Sequence, residues 1–296
     1  MRGLSYRFDV RCDDERLGDR VDAALAGLWA PETAPTADHW YSLTATPGGA
    51  GTLDVSRDGE TLAFDQCPGD ALSWVVWDVN RSAAEASGQH LLFHAGALDA
   101  GGIGVLLPGT SGSGKSTLTA GLALAGLGYL TDELTALDLQ SGQLLPYPKP
   151  ITLKAGSFAV LPELDPDAGR SPGLGGGAGR WAGEEWQVAV GGDTGRRVGQ
   201  ACAPRLVVVP RFAAGVPTHL TPLSNTEAFL SLALHAVNLL PHGVAGSAAL
   251  GRVVAQSDCY ALTMSDLDEA CALVSALVEG VRPAVEAPLE SASRAG

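Results

Sequence analysis

The chain has 296 residues, 46% of them hydrophobic, enough for one large domain or two modest ones with buried cores. Its formal charge of −14 at pH 7 argues against nucleic acid or an anionic membrane surface as partner and favours a neutral or basic one. Apolar runs are broken well short of a membrane span and Met1 to Asp9 lack a signal-peptide apolar region. The five cysteines (Cys12, Cys67, Cys202, Cys259, Cys271) are scattered without metal spacing, so a reduced, cytoplasmic protein is expected.

Residues 1–88 read as a small α/β unit. Tyr6 to Val10 is strand-like, and Leu17, Val21, Leu25 and Leu28 recur at helical spacing behind the acidic start Asp13-Asp14-Glu15. Trp40 to Thr46, Thr52 to Ser56 and Thr61 to Phe64 are strand-like, with Asp58-Gly59 as a hairpin turn. Leu72, Val75, Val76 and Val79 mark a helix, on which Trp74 and Trp77 are expected to pack in the core or between units. Nothing in this unit looks catalytic; substrate recognition or self-association is its expected role.

A second unit runs over 89–285, followed by a tail at 286–296. Leu91 to Asp99 is a strand, Ala100-Gly101-Gly102 a turn, and Gly104 to Leu107 a short buried strand. Thr117 to Gly126 is a helix. Gly126 to Gly128 is a tight turn, a short strand follows it up to Asp132, and Leu134 to Leu139 with Gln143 to Tyr147 form a hairpin. Residues 165–200 are glycine-rich and expected to be the least ordered, a flap or a surface loop. Leu206 to Val209 is a strand, 225–239 and 245–256 helices, Cys259 to Leu262 a strand and 266–280 a helix.

Between the strand ending at Leu107 and the helix lies Gly109-Thr110-Ser111-Gly112-Ser113-Gly114-Lys115-Ser116, which fits the phosphate-loop pattern G-x-x-x-x-G-K-[ST] without a mismatch. Glycines let successive backbone N–H groups turn inward round a phosphate, and the helix N-terminus adds its positive dipole end. Lys115 supplies a charge for the outer phosphates and Ser116 a hydroxyl for Mg²⁺, so ATP with Mg²⁺ is the expected ligand. Asp132 and Glu133 return beside the loop after one helix and one strand. His94 stands on the strand before the loop strand and is placed to reach the same pocket.

His94-Ala95-Gly96-Ala97-Leu98-Asp99, the loop Gly109 to Ser116 and Thr131-Asp132-Glu133, at these separations, resemble the HPr kinase/phosphorylase catalytic domain, and more closely the HPr-kinase-related proteins of bacterial operons. The resemblance covers roughly residues 89–285. It implies an α/β fold with a P-loop catalytic domain of the HPr kinase and phosphoenolpyruvate carboxykinase type. It implies a kinase of a Ser or Thr hydroxyl on a peptide or protein; some such relatives tailor ribosomally made peptides, lasso peptides among them. The family's histidine falls on His94, its loop lysine and serine on Lys115 and Ser116, and its paired aspartates on Asp132 and Glu133. Glu133 in place of an aspartate, Thr117 where a glutamate is usual, and the lack of a recognisable downstream glycine-arginine signature point to a one-way kinase.

On this reading the loop Gly109 to Thr117 binds nucleotide, and Ser116 and Glu133 face the metal. Asp132 is expected to take the acceptor proton, with His94 bonding an acid or a phosphate oxygen. Asp99 fits the motif or holds a turn, Arg211 is a phosphate contact or a surface ion pair, and His235 and Asn238 read as packing. The chain has three lysines against sixteen arginines, and two of the three, Lys149 and Lys154, lie in the segment Pro146 to Lys154. That placement hints at a need for compact ammonium groups there. A small-metabolite kinase and a nucleotide-driven switch or ATPase remain as alternatives.

Overall fold

The computed structural model describes residues 1–29, 36–165, 185–191 and 194–281. The first sheet runs β1 (Arg2–Gly3), β2 (Tyr6–Cys12), β3 (His39–Ala45), β4 (Leu53–Arg57) and β5 (Glu60–Gln66) in chain order. Its neighbours are antiparallel except β2 and β3, which are parallel because α1 (Glu15–Ala24) carries the chain across between them. Asp14 starts α1 by accepting the Leu17 N–H at 2.8 Å.

Helix α2 (Pro68–Ala86) begins with Pro68 in its first turn, where a missing N–H costs nothing. It buries Leu72, Val75, Val76, Val79 and Ala83 in a core with Phe8, Tyr41, Leu43 and Val55. Leu92, Leu134, Ala136 and Tyr147 of the second unit belong to the same core. The buried Asp78 ties the helix down: it accepts from Tyr41 Oη at 2.7 Å, Arg57 at 2.9 Å and Arg81 at 2.7 Å.

The second unit is built on a larger sheet. Its elements are β6 (His90–Asp99), β7 (Ile103–Pro108), α3 (Lys115–Leu124), β8 (Gly128–Thr131), β9 (Leu134–Asp138), β10 (Leu144–Leu145), β11 (Ile151–Lys154) and β12 (Glu185–Val188). They continue with β13 (Ala203–Phe212), β14 (His219–Pro222), α4 (Asn225–His235), α5 (Leu239–Gln256), β15 (Asp258–Met264) and α6 (Leu267–Gly280). The sheet order is β10-β9-β6-β7-β13-β15-β14, with β8 also on β6, while β11 and β12 pair separately. The strands β7, β13 and β15 are mutually parallel and form its centre. Side chains of β13 alternate between faces: Leu206 and Val208 pack with α3 and α6, and Val207 packs with α4 and α5.

Several expectations are corrected here. The helix expected over 225–239 ends at His235. The chain then turns extended, with Ala236 bridging Phe93 and the Val237 N–H bonding the Leu92 carbonyl at 2.8 Å. The helix expected from 245 begins at Leu239, broken only by the non-helical Gly243. The helix expected from Thr117 to Gly126 spans Lys115–Leu124. Within the stretch expected to lack order, Glu185–Val188 forms a strand against Ile151–Lys154. Arg170, Arg180, Trp181, Glu184, the glycines Gly173 to Gly179 and the tail 286–296 lie outside the described residues. Among the described residues no helix is long and apolar enough to cross a membrane.

Candidate functional site

The sheet order places the loop 109–114 at the C-terminal end of β7, beside β13, where open α/β sheets present their ligand crevices. Gly112 and Gly114 both have positive φ, 81° and 86°, and Gly114 is the cap residue of α3. A side chain at Gly114 would also collide with Met264, so only glycine turns the loop into the helix here. No side chain caps the N-terminus of α3, which leaves its first amides to other acceptors.

The acids come to the loop through β6. The first half of β6 pairs with β9 (His94 opposite Leu134) and its second half with β8 (Ala97 opposite Thr131). Asp132 and Glu133 fill the break between those two strands, and the Ala95 N–H bonds the Glu133 carbonyl at 2.9 Å. Gly96 lies under α3, where a Cβ would collide with Thr119 Oγ1 and approach Lys115 Cγ at 3.5 Å. The bare backbone at Gly96 thus lets the loop lysine close on the acids, and Lys115 Nζ donates to the Asp132 carbonyl at 3.2 Å.

The two acids have different surroundings. Asp132 is wholly buried: Oδ1 accepts from Lys149 Nζ at 2.7 Å and Tyr129 Oη at 2.9 Å, and Oδ2 accepts from the Thr152 N–H at 3.2 Å. Burial pushes its pKa up, but Lys149, Lys115 and Tyr129 outweigh that and hold the carboxyl below its ordinary range. Glu133 is 39% exposed and lies 3.4 Å from Lys149 through Oε2. Both Asp132 oxygens thus accept hydrogen bonds from within the protein, and Glu133 is the more exposed of the two acids that line the cleft.

Lys115 is buried, and burial draws its pKa down against the opposing pull of Asp132 and Glu133. Burial, then the Lys115 charge, also lowers the pKa of the half-buried His94, which keeps its imidazole neutral at pH 7. Lys149 is drawn down by burial, but Asp132 and Glu133 win and raise its pKa. Sequence reasoning flagged Lys149 through the scarcity of lysine and through a similar Pro-Lys-Pro segment after the acid pair in the kinases it resembles. It had no signal for Tyr129 and Thr152, whose roles come from long-range packing.

One cleft of about 710 Å³ gathers these groups. His94, Thr110, Ser111, Gly112, Gly114, Lys115, Ser116, Thr117, Asp132, Glu133 and Lys154 line it. Phe212, Met264 and Leu267 border it on the Gly114 side, and Ser73, Val76, Trp77 and Asn80 of α2 on another. Trp77 is 56% exposed and Trp74 is also partly exposed, so of the expected places, core or between units, the core is ruled out, and Trp77 lies on the cleft between α2 and the second unit. Gly109 and Ser113 complete the loop, and Thr117 Oγ1 bonds Ser157 Oγ at 2.9 Å.

Other candidates lie elsewhere. Asp99 holds a turn, accepting from the Gly102 and Gln200 N–H groups at 2.7 and 3.1 Å. Asn238 bonds the Leu92 N–H and the His90 carbonyl, and His235 the Ser231 carbonyl, which makes both structural. Arg211 is exposed and does not line the cleft.

The loop suits a triphosphate on three counts. The α3 amides are uncapped, Lys115 is held at the cleft, and Ser113 Oγ is buried with no hydrogen-bond partner among the described residues. Ser116 and Glu133 both offer oxygen to the cleft, as a hard cation requires. Among the described residues no group of three or more His, Cys, Asp or Glu is placed to hold a metal ion.

No protein-family model matches the chain, and no curated protein matches it. Among solved structures, the Hpr(Ser) kinase/phosphatase from Coxiella burnetii aligns with 64% of this chain and 94% of its own, at 14% identity and a TM-score of 0.25. At that identity and TM-score the likeness bears on no residue's role.

Proposed function

We propose that the chain is a phosphotransferase that moves the γ-phosphoryl group of ATP to a Ser or Thr hydroxyl of a peptide or protein. The observation that carries the reading is the convergence of the loop lysine Lys115, the acids Asp132 and Glu133, and His94 in one cleft at the end of the central parallel strand. Phosphoryl transfer asks for positioning and charge neutralisation more than covalent help. The loop amides and Lys115 hold the phosphate oxygens. The acceptor oxygen bonds to phosphorus as the bond to the ADP oxygen breaks, and Glu133 takes the acceptor's proton. Asp132, fixed in its ion pair with Lys149, holds the charge balance behind Glu133. Neutral His94 offers one N–H to a phosphate oxygen. Ser116 would hold Mg²⁺, which when bound neutralises phosphate charge.

The test is transfer from γ-labelled ATP to a panel of serine- and threonine-containing peptides, with Lys115→Ala as control. Label in phosphoserine or phosphothreonine, lost in the variant, supports the reading. Label only on a small molecule would replace it with a metabolite kinase, and release of free phosphate alone with an ATPase.

A further inference from the structure

The cleft has two apolar ends. One is formed by Phe212, Met264 and Leu267 beside Gly114. The other is the cleft-facing side of α2, with the exposed Trp77 and the edge of the mostly buried Val76. The second is tied to the Asp132 carboxylate by a chain of polar contacts: the Thr152 N–H bonds Asp132 Oδ2, Thr152 Oγ1 bonds Gln187 Oε1 at 3.2 Å, and Gln187 Nε2 reaches Ser73 Oγ on α2 at 3.5 Å. In an in-line transfer the acceptor and the nucleoside lie on opposite sides of the moving phosphoryl group. The end joined to the acids is therefore the acceptor's, and the Phe212 end is the nucleoside's.

The α2 wall is uncharged. Ser73, Val76, Trp77, Asn80 and Gln187 face a cleft whose charges all lie on other elements. The Trp77 ring is held in place: Trp74 packs edge-on at 5.5 Å, and the Arg81 guanidinium sits 5.9 Å from the ring centroid. Arg81 is itself fixed by Asp78 and Glu85, each at 2.7 Å. A fixed, half-exposed indole offers a large apolar surface at little ordering cost. Beside it Asn80 Oδ1 is buried and has no hydrogen-bond partner among the described residues, an acceptor in want of an N–H.

Resting on the phosphotransferase reading, we infer that Trp77, with Val76 and Asn80, selects the acceptor. The wall takes a peptide that carries an apolar or aromatic side chain next to the Ser or Thr hydroxyl. That side chain seats on the indole while a peptide N–H is donated to Asn80 Oδ1.

The test uses the full chain, γ-labelled ATP and short synthetic peptides with a central serine flanked by phenylalanine or by alanine. The wild type should prefer the phenylalanine set by about tenfold in kcat/KM, the scale of one aromatic anchor. Trp77→Ala should collapse that preference through KM and leave MgATP affinity, read by calorimetry, unchanged; Trp77→Phe should keep most of the preference. Equal use of both peptide sets by the wild type, or a preference intact in Trp77→Ala, overturns the inference while leaving the phosphotransferase reading standing. Weakened MgATP binding with the preference intact also overturns it, assigning the indole to the nucleoside. Binding of MgATP without transfer to any peptide overturns both.

Discussion

Lys149 Nζ lies 2.7 Å from Asp132 Oδ1, and each side chain is only 1% exposed. Removing either partner leaves the other charge buried and uncompensated, which costs about 3–5 kcal/mol. Asp132→Asn and Lys149→Met should each lower the urea midpoint by that measure, and the double variant should lose far less than the sum. Strict additivity in the cycle would show that the two groups do not depend on each other.

The same pair sets a pH window. Asp132 has a depressed folded pKa, so its contribution is present above the unfolded value of about 3.9 and is lost as pH falls through the lower folded value. Lys149 has a raised folded pKa. Its contribution is present below the unfolded value of about 10.4 and is lost as pH rises through the folded one. Stability measured by urea unfolding across pH should therefore fall at both extremes in the wild type, and less steeply in the Asp132→Asn/Lys149→Met double variant. Identical profiles would remove the pair from the account.

Glu133 divides from Asp132 by its exposure. Glu133→Gln should lower turnover on the order of 10²–10⁴, the range for a lost positioned base, with its melting temperature near that of the wild type. Its long contact with Lys149 is partly exposed and contributes little to folding. A fully active Glu133→Gln, beside a stable but inactive Asp132→Asn, would return the proton to Asp132.

The glycine-rich loop between a strand and a helix, and the return of the acids after one strand, were legible because they follow from local pattern. The division between the acids was not, because it depends on Lys149, Tyr129 and Thr152 arriving from other elements. Trp74 and Trp77 were expected in the core or between units, and the helical period already excluded the core. Leu72, Val75, Val76 and Val79 define the buried stripe, and the two tryptophans fall outside it. The break after His235 was hidden because Ala236 and Val237 continue an apolar run, and only their pairing with β6 pulls them out of the helix. Strand β14 is short and carries Pro222, which weakens the pattern by which strands are recognised.

The core that α2 shares with Leu92, Leu134, Ala136 and Tyr147 has a consequence for how such a protein diversifies. A chain starting at residue 89 would present those side chains to water and would lack the serine that Gln187 reaches, so the first sheet is not a detachable adaptor. Grafting an unrelated front unit would have to rebuild both the core and one wall of the cleft at once. Point changes on the outer face of α2 escape that constraint. Positions 73, 77 and 80 border the cleft beside Val76, which also belongs to the buried stripe, while Leu72, Val75 and Val79 of that stripe do not line it. On the proposed function, new acceptor preferences would be reached by substitution along that helical face, away from Lys115, Asp132 and Glu133.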